Sequence, residues 1–144
     1  MKGKILITGA TGNLGGLVID ALLSKIEANQ IAGLVRDTNK AEVLQAKGID
    51  IREGNYDDEG SLEKAFSGVE KIYFISGNDL DKRVAQHKNI VAAAEKAGVK
   101  HVVYTSFGRK DESENSPIYP VAKGHLAAED ALKNTSLDYT ILKH

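Results

Sequence analysis

The chain contains no cysteine, which excludes disulfides, thiolate metal sites and a cysteine nucleophile and fits a reducing compartment. It has almost no charge imbalance. Nineteen basic and 20 acidic residues leave a formal net charge of −1, so nothing draws it electrostatically to nucleic acid or to an anionic membrane surface. A long apolar run is also missing. Met1-Lys2-Gly3-Lys4 is followed by only a few apolar residues before Thr8-Gly9, short of a signal core or a membrane span, and a cytoplasmic protein is the expectation. The four histidines, His87, His101, His125 and His144, form no pair at metal-ligand spacing, so no metal site is expected. No internal repeat, low-complexity tract or linker is visible. Proline is scarce, and Pro117 and Pro120 lie together after Asp111-Glu112-Ser113-Glu114-Asn115-Ser116.

The 144 residues, 42% hydrophobic and 27% charged, suit one globular domain over residues 1–144, able to bury about 68–70% of its unfolded surface. Two kinds of segment alternate along it. Short runs rich in β-branched and aromatic residues are Lys4–Thr8, Ile31–Val35, Ile49–Ile51, Ile72–Ile75, Val102–Tyr104 and Tyr139–Leu142. Their nearly continuous apolar character is that of strands buried on both faces of a parallel sheet. Between them lie stretches with helical spacing. Leu14, Leu17, Val18, Ala21, Leu22 and Ile26 predict one apolar stripe. Val84, Ile90, Val91 and Ala94 predict another, with Ala92 and Ala93 allowing close approach to a sheet. The expected architecture is α/β: a Rossmann-like, doubly wound parallel sheet of about six strands in the order 3-2-1-4-5-6. The chain stops at Lys143-His144, directly after an apolar strand and with no closing helix, which reads as a cut sequence.

Gly9-Ala10-Thr11-Gly12-Asn13-Leu14-Gly15 follows the first strand and opens the first helix. In such a loop the first glycine permits a tight turn, the second lets backbone approach a diphosphate, and the third lets helix pack closely on strand. The helix start then offers unpaired N–H groups and partial positive charge to the phosphates. No Gly-Lys-Ser/Thr follows, so a mononucleotide P-loop is excluded. A dinucleotide is the expected ligand. At the end of the second strand an acid would select NAD through the ribose hydroxyls, whereas arginine would accommodate the 2′-phosphate of NADP. Val35-Arg36-Asp37 presents both. Arg36 stands at the discriminating position and favours NADP(H). Asp37 could take the ribose of NAD(H) instead, or cap a helix beginning near Thr38-Asn39-Lys40. After the third strand, Asn55 of Gly54-Asn55-Tyr56-Asp57-Asp58 could reach the adenine edge or only build the turn. Asp57-Asp58-Glu59 and Asp111-Glu112 read as solvated surface.

With these residues in view, the chain resembles the NmrA-like, atypical short-chain dehydrogenase/reductase family. It is especially similar to the type 2 NAD(P)H:quinone oxidoreductase and triphenylmethane reductase branches. The resemblance rests on Ile7–Gly16, Leu34-Val35-Arg36, Gly68–Lys71, Phe74–Gly77, Gln86-His87, Ala97–His101, Tyr104-Thr105-Ser106 and Leu137–Leu142, and it runs through essentially the whole chain. It implies diphosphate binding by Gly9, Thr11, Gly12, Asn13 and Leu14, and 2′-phosphate recognition by Arg36. It also implies contacts near the nicotinamide ribose from Ile75, Ser76 and Gly77. The family usually carries Asp where this chain has Asn55, so an altered adenine contact is implied. The family also continues past the position of His144 into a smaller substrate-binding region, so this chain is expected to lack that region.

The wider dehydrogenase superfamily carries a Tyr-x-x-x-Lys pattern, matched here by Tyr119-Pro120-Val121-Ala122-Lys123. In that scheme Tyr119 handles the substrate proton, Lys123 holds the nicotinamide ribose and lowers the tyrosine pKa, and Ser106 or Thr105 bonds the substrate carbonyl. With 5 tyrosines and 15 lysines the spacing arises about as readily by chance, although it stands after the fifth strand as the superfamily has it. Pro120 pushes Tyr119 out of helical conformation, and the quinone and dye reductases usually lack that tyrosine. His125 matches a histidine common in those relatives, and also fits a solvated helix position. The expectation is an NADP(H)-dependent oxidoreductase passing hydride to a quinone-like or conjugated small-molecule acceptor. The alternatives are an NAD(P)-sensing regulator without turnover and an inactive scaffold. A homodimer through an edge strand is compatible with the sequence.

Overall fold

The apolar runs become strands and the periodic stretches become helices. The computed structural model describes residues 3–36, 41–75, 83–106, 128–135 and 137–143. Its elements are β1 (Lys4–Ile7), α1 (Asn13–Leu23), β2 (Ile31–Val35), α2 (Glu42–Ala46), β3 (Asp50–Glu53), α3 (Glu59–Ala65), β4 (Val69–Phe74), α4 (Arg83–Ala97), β5 (His101–Ser106) and β6 (Asp138–Lys143). Residues 128–133 are helical and lead toward β6. Every strand pairing is parallel, and the order is β3-β2-β1-β4-β5-β6, as the alternation of elements predicts.

The chain builds outward from β1 to β3, then crosses to the far side of β1 to lay down β4, β5 and β6. That reversal divides the helices between two faces. Ile19 of α1 and Leu44 of α2 share a cluster with Ile7, Ile31 and Val35. Leu62 of α3, Ile90 and Val91 of α4, and Leu132 share the opposite cluster with Leu6, Ile72, Phe74, Val102 and Tyr104. Central β2 is buried along its whole length, which is why it reads as an unbroken apolar run.

The strands depart from the expected bounds where polar residues sit in them. β3 runs on through Arg52 and Glu53, because an edge strand keeps one side open to water. Arg52 uses that edge: its guanidinium donates to the carbonyls of Ala65 and Ser67 at 2.9 and 2.8 Å, pinning the end of α3. β4 begins at Val69, ahead of the expected Ile72, with Glu70 and Lys71 at its entry.

The predicted face of α1 needs correction. Ile19 is fully buried, whereas Leu14 and Leu17 are 41% and 67% exposed and Ala21 is exposed. The inward face follows Gly15 and Ile19 and continues through Val18, Leu22, Leu23 and Ile26. A glycine carries no hydrophobic signal, so a stripe traced on leucines alone misses the face it defines. Of the expected inward residues on α4, Ile90, Val91, Ala93 and Ala94 are buried and Val84 and Ala92 partly so, with Gln86 and His87 buried beside them. α2 begins at Glu42 with Ala41 at its N-cap; Asp37 and the helix start expected near Thr38 lie outside the described residues.

Candidate functional site

β1 lies between β2 and β4, and the chain leaves it in opposite directions on the two sides. In open α/β sheets the crevice for ligands lies at the carboxyl ends of the strands flanking such a reversal. Buried Thr8 ties two of those ends together. Its N–H donates to Tyr73 O at 3.1 Å. Its hydroxyl donates to Ile75 O at 3.2 Å and accepts the Ile75 N–H at 2.8 Å. The backbone of Ile75 is thereby held beside the glycine loop.

Each glycine of the loop has its own geometric reason. Gly9 adopts φ +61°, left-handed backbone that side chains disfavour, and its carbonyl accepts the Gly12 N–H at 3.0 Å. Gly12 is the N-cap of α1 in extended conformation, with no side-chain cap. Gly15 is the tightest: a Cβ there would lie 2.1 Å from Gly9 O and 3.0 Å from Ala10 Cα, so only glycine lets α1 approach. The first helical bond at this end is Gly16 N–H to Gly12 O at 2.9 Å. The N–H groups of Asn13, Leu14 and Gly15 therefore have no intrahelical acceptor, and the first turn carries no acidic side chain. The N–H groups of Gly9 and Gly12 are used inside the protein. Thr11 is exposed and Leu14 half-exposed at the mouth.

Arg36 follows β2 directly. It is exposed and makes no hydrogen bond or ion pair among the described residues. Asn55 Oδ1 accepts the Asp57 N–H at 2.9 Å, and the Asn55 N–H donates to Ser61 Oγ at 2.9 Å, so Asn55 builds the β3–α3 turn. Asp58 is the N-cap of α3, accepting the Ser61 N–H at 3.2 Å.

The acidic run Asp57-Asp58-Glu59 is more than the solvated surface its charge implies. Gln86 Nε2 donates to Asp57 Oδ1 at 3.2 Å, and Lys96 pairs with Glu59. Asn89 Nδ2 donates to the Tyr56 carbonyl at 2.9 Å. Helix α4 thus grips the turn that carries Asn55. Sequence reasoning passes over Tyr56, Gln86 and Asn89, because their partners lie about 30 positions away. The one available signal is Tyr56 itself, an aromatic ring in an otherwise polar turn. It packs against the larger core cluster, and its hydroxyl accepts the Gly9 N–H at 3.1 Å. Burial pushes the Tyr56 hydroxyl above its ordinary value, opposed by hydrogen bonds with Thr8 and Gly9 and by the Arg36 charge.

Gly9 through Gly15, Arg36, Asn55 and Ile75 therefore belong to the ends of β1 to β4 and the turns that follow them. Ser106 closes β5 opposite Lys143 of β6. Ser76, Gly77, Tyr119, Lys123, Asp37 and His125 lie outside the described residues. Among the described residues no three His, Asp or Glu side chains gather as a metal site, and no helix is long and apolar enough to cross a membrane.

The chain is 41% identical over 140 residues to quinone oxidoreductase 2 of Escherichia coli (strain K12), covering 97% of this chain and 48% of that protein. The Citrobacter sp. triphenylmethane reductase complexed with NADP(H) superposes with a TM-score of 0.89 at 45% identity, over 98% of this chain and 49% of that one. An NADPH-dependent quinone oxidoreductase from Escherichia coli, complexed with NADPH, gives 0.88 at 41% identity, over 97% and 48%. The chain spans about half the length of these relatives. The NmrA-like family model matches residues 1–143, from β1 through β6. The chain therefore belongs to the NmrA-like family.

Proposed function

We propose that this chain is the nucleotide-binding part of an NADP(H)-dependent oxidoreductase that passes hydride to a quinone or a similar conjugated acceptor. The observation that carries the reading is the uncapped first turn of α1, pressed onto the Gly9 carbonyl at Gly15, with Arg36 exposed at the end of the neighbouring β2. A dinucleotide fits these residues. Gly15 keeps the start of α1 against the Gly9 carbonyl at the strand ends, the open N–H groups suit a diphosphate, and an exposed guanidinium suits a 2′-phosphate. The cofactors named for the two solved relatives support the same choice.

When bound, the reduced nicotinamide supplies the hydride, and the protein binds and orients. Asn13, Leu14 and Gly15 receive the diphosphate on backbone N–H groups, with Gly9, Thr11 and Gly12 shaping the loop. Arg36 takes the 2′-phosphate. Asn55, whose carboxamide oxygen is held by the turn, keeps its NH₂ group for the adenine edge. Ile75, Ser76 and Gly77 border the nicotinamide ribose, which Lys123 also holds. Ser106 bonds the acceptor carbonyl. Tyr119 donates the proton where the acceptor needs one, whereas an electron-poor quinone takes hydride without it.

Arg36→Ala is the direct test. NADPH affinity should fall about 10- to 100-fold, the loss of a charge-assisted contact, with NADH affinity little changed. Equal losses would remove Arg36 from cofactor selection. Steady NADPH oxidation with a quinone supports the enzyme. Tight binding without turnover favours a sensor, and a melting temperature indifferent to NADPH leaves a scaffold.

A further inference from the structure

We infer that Tyr56 is a positioning residue for the diphosphate: its hydroxyl fixes the Gly9 peptide, and with it the opening of the phosphate loop. The inference rests on the dinucleotide reading above and deepens it.

Gly9 is held through both peptide units that it joins. Its carbonyl accepts the Gly12 N–H at 3.0 Å and faces α1 where a Gly15 Cβ would stand. Its N–H donates to Tyr56 Oη at 3.1 Å. Gly9 is left-handed, and a glycine has the widest backbone freedom of any residue, so its orientation must come from partners. Without the phenol, the Gly9 N–H has no acceptor and the turn is free to rock. The Gly9 carbonyl would then shift against α1, and the open N–H groups of Asn13, Leu14 and Gly15 would move with it.

The phenol is itself anchored from elsewhere in the fold. Its ring packs against the larger core cluster. Its carbonyl is bonded by Asn89 at 2.9 Å, and the next residue, Asp57, by Gln86 at 3.2 Å. Asn89 and Gln86 lie one turn apart on α4, a helix packed on the opposite face of the sheet from α1. A single tyrosine therefore links the glycine loop to the β3–α3 turn and to α4. Burial keeps that phenol protonated across the physiological range.

The test is Tyr56→Phe in the 144-residue chain, which retains the ring and removes only the hydroxyl. Two ligands separate positioning from general support. NADPH carries the diphosphate, and adenosine 2′-monophosphate carries the 2′-phosphate without it. The expected result is a three- to tenfold weaker NADPH affinity, roughly one neutral hydrogen bond. Adenosine 2′-monophosphate should hold within about twofold, and amide exchange at Gly9 should accelerate. Asn89→Ala, which reaches the same contact from α4, should shift NADPH affinity in the same direction by less. Equal losses for both ligands would reduce Tyr56 to a structural residue and overturn the inference. So would unchanged NADPH affinity in Tyr56→Phe while the wild-type chain binds NADPH normally. Failure of the wild-type chain to bind NADPH would overturn the dinucleotide reading first and this inference with it.

Discussion

The start of α1 and the core under α3 and α4 are built by different rules. The face under α3 and α4 is filled with bulk: Leu6, Leu62, Phe66, Phe74, Ile90, Tyr104 and Leu132 are all fully buried or nearly so. Phe74 meets Tyr104 at 4.7 Å and the His87 ring edge-on at 5.0 Å. The face under α1 has its own bulk in Ile7, Ile19, Ile31 and Leu44, but where α1 starts it is built on closeness, with Gly15, Ala10 and Gly33 in contact. A Cβ on Gly33 would lie 3.0 Å from Ala10 Cβ. Bulk stabilises a fold but tolerates small shifts, whereas glycine and alanine contacts bring backbone to backbone and aim the start of α1 at the strand ends. The difference separates stability from recognition within one sheet.

That separation can be broken by substitution. Phe74→Ala should destabilise the chain most, by about 3–5 kcal/mol, through lost burial and a cavity, as chemical denaturation would measure. NADPH affinity of the folded fraction should stay within about twofold. Gly15→Ala should cost less stability, about 1–3 kcal/mol from overpacking. It should nevertheless abolish dinucleotide binding by calorimetry, because the added carbon displaces the Gly9 carbonyl. Gly16→Ala, one residue on, sharpens the contrast. Nothing lies within 4 Å of its Cβ, so a gain of about 0.5–1 kcal/mol from helix propensity is expected, with binding retained. If Gly15→Ala and Gly16→Ala behave alike, close approach is not what shapes the site.

Much of this was legible before the fold was known. Runs such as Ile31–Val35 are buried throughout, and continuous burial leaves continuous apolar character in sequence. The strand order followed from unbroken alternation, and the glycine loop from its place between the first strand and helix. The inward face of α1 was misread because Gly15 has no side chain to announce contact, while exposed Leu14 and Leu17 mimic a stripe. The β3–α3 turn was legible as a turn, from Asn55 and the cap Asp58, both local to it. Its attachment to α4 through Gln86 and Asn89 was not, since contacts across some 30 positions leave no periodic trace. Tyr56 belongs to the same class: its neighbours in sequence are polar, and its partner Gly9 comes from the loop after β1.

The central claim is that backbone N–H groups at the start of α1 receive a diphosphate. Amide proton shifts of the ¹⁵N-labelled chain, followed through an NADPH titration, test it most directly. Asn13, Leu14 and Gly15 should show the largest downfield shifts and saturate together, as free N–H groups acquire anionic acceptors. A first turn that stays silent while NADPH binds, with the large shifts elsewhere in the sheet, would contradict the account.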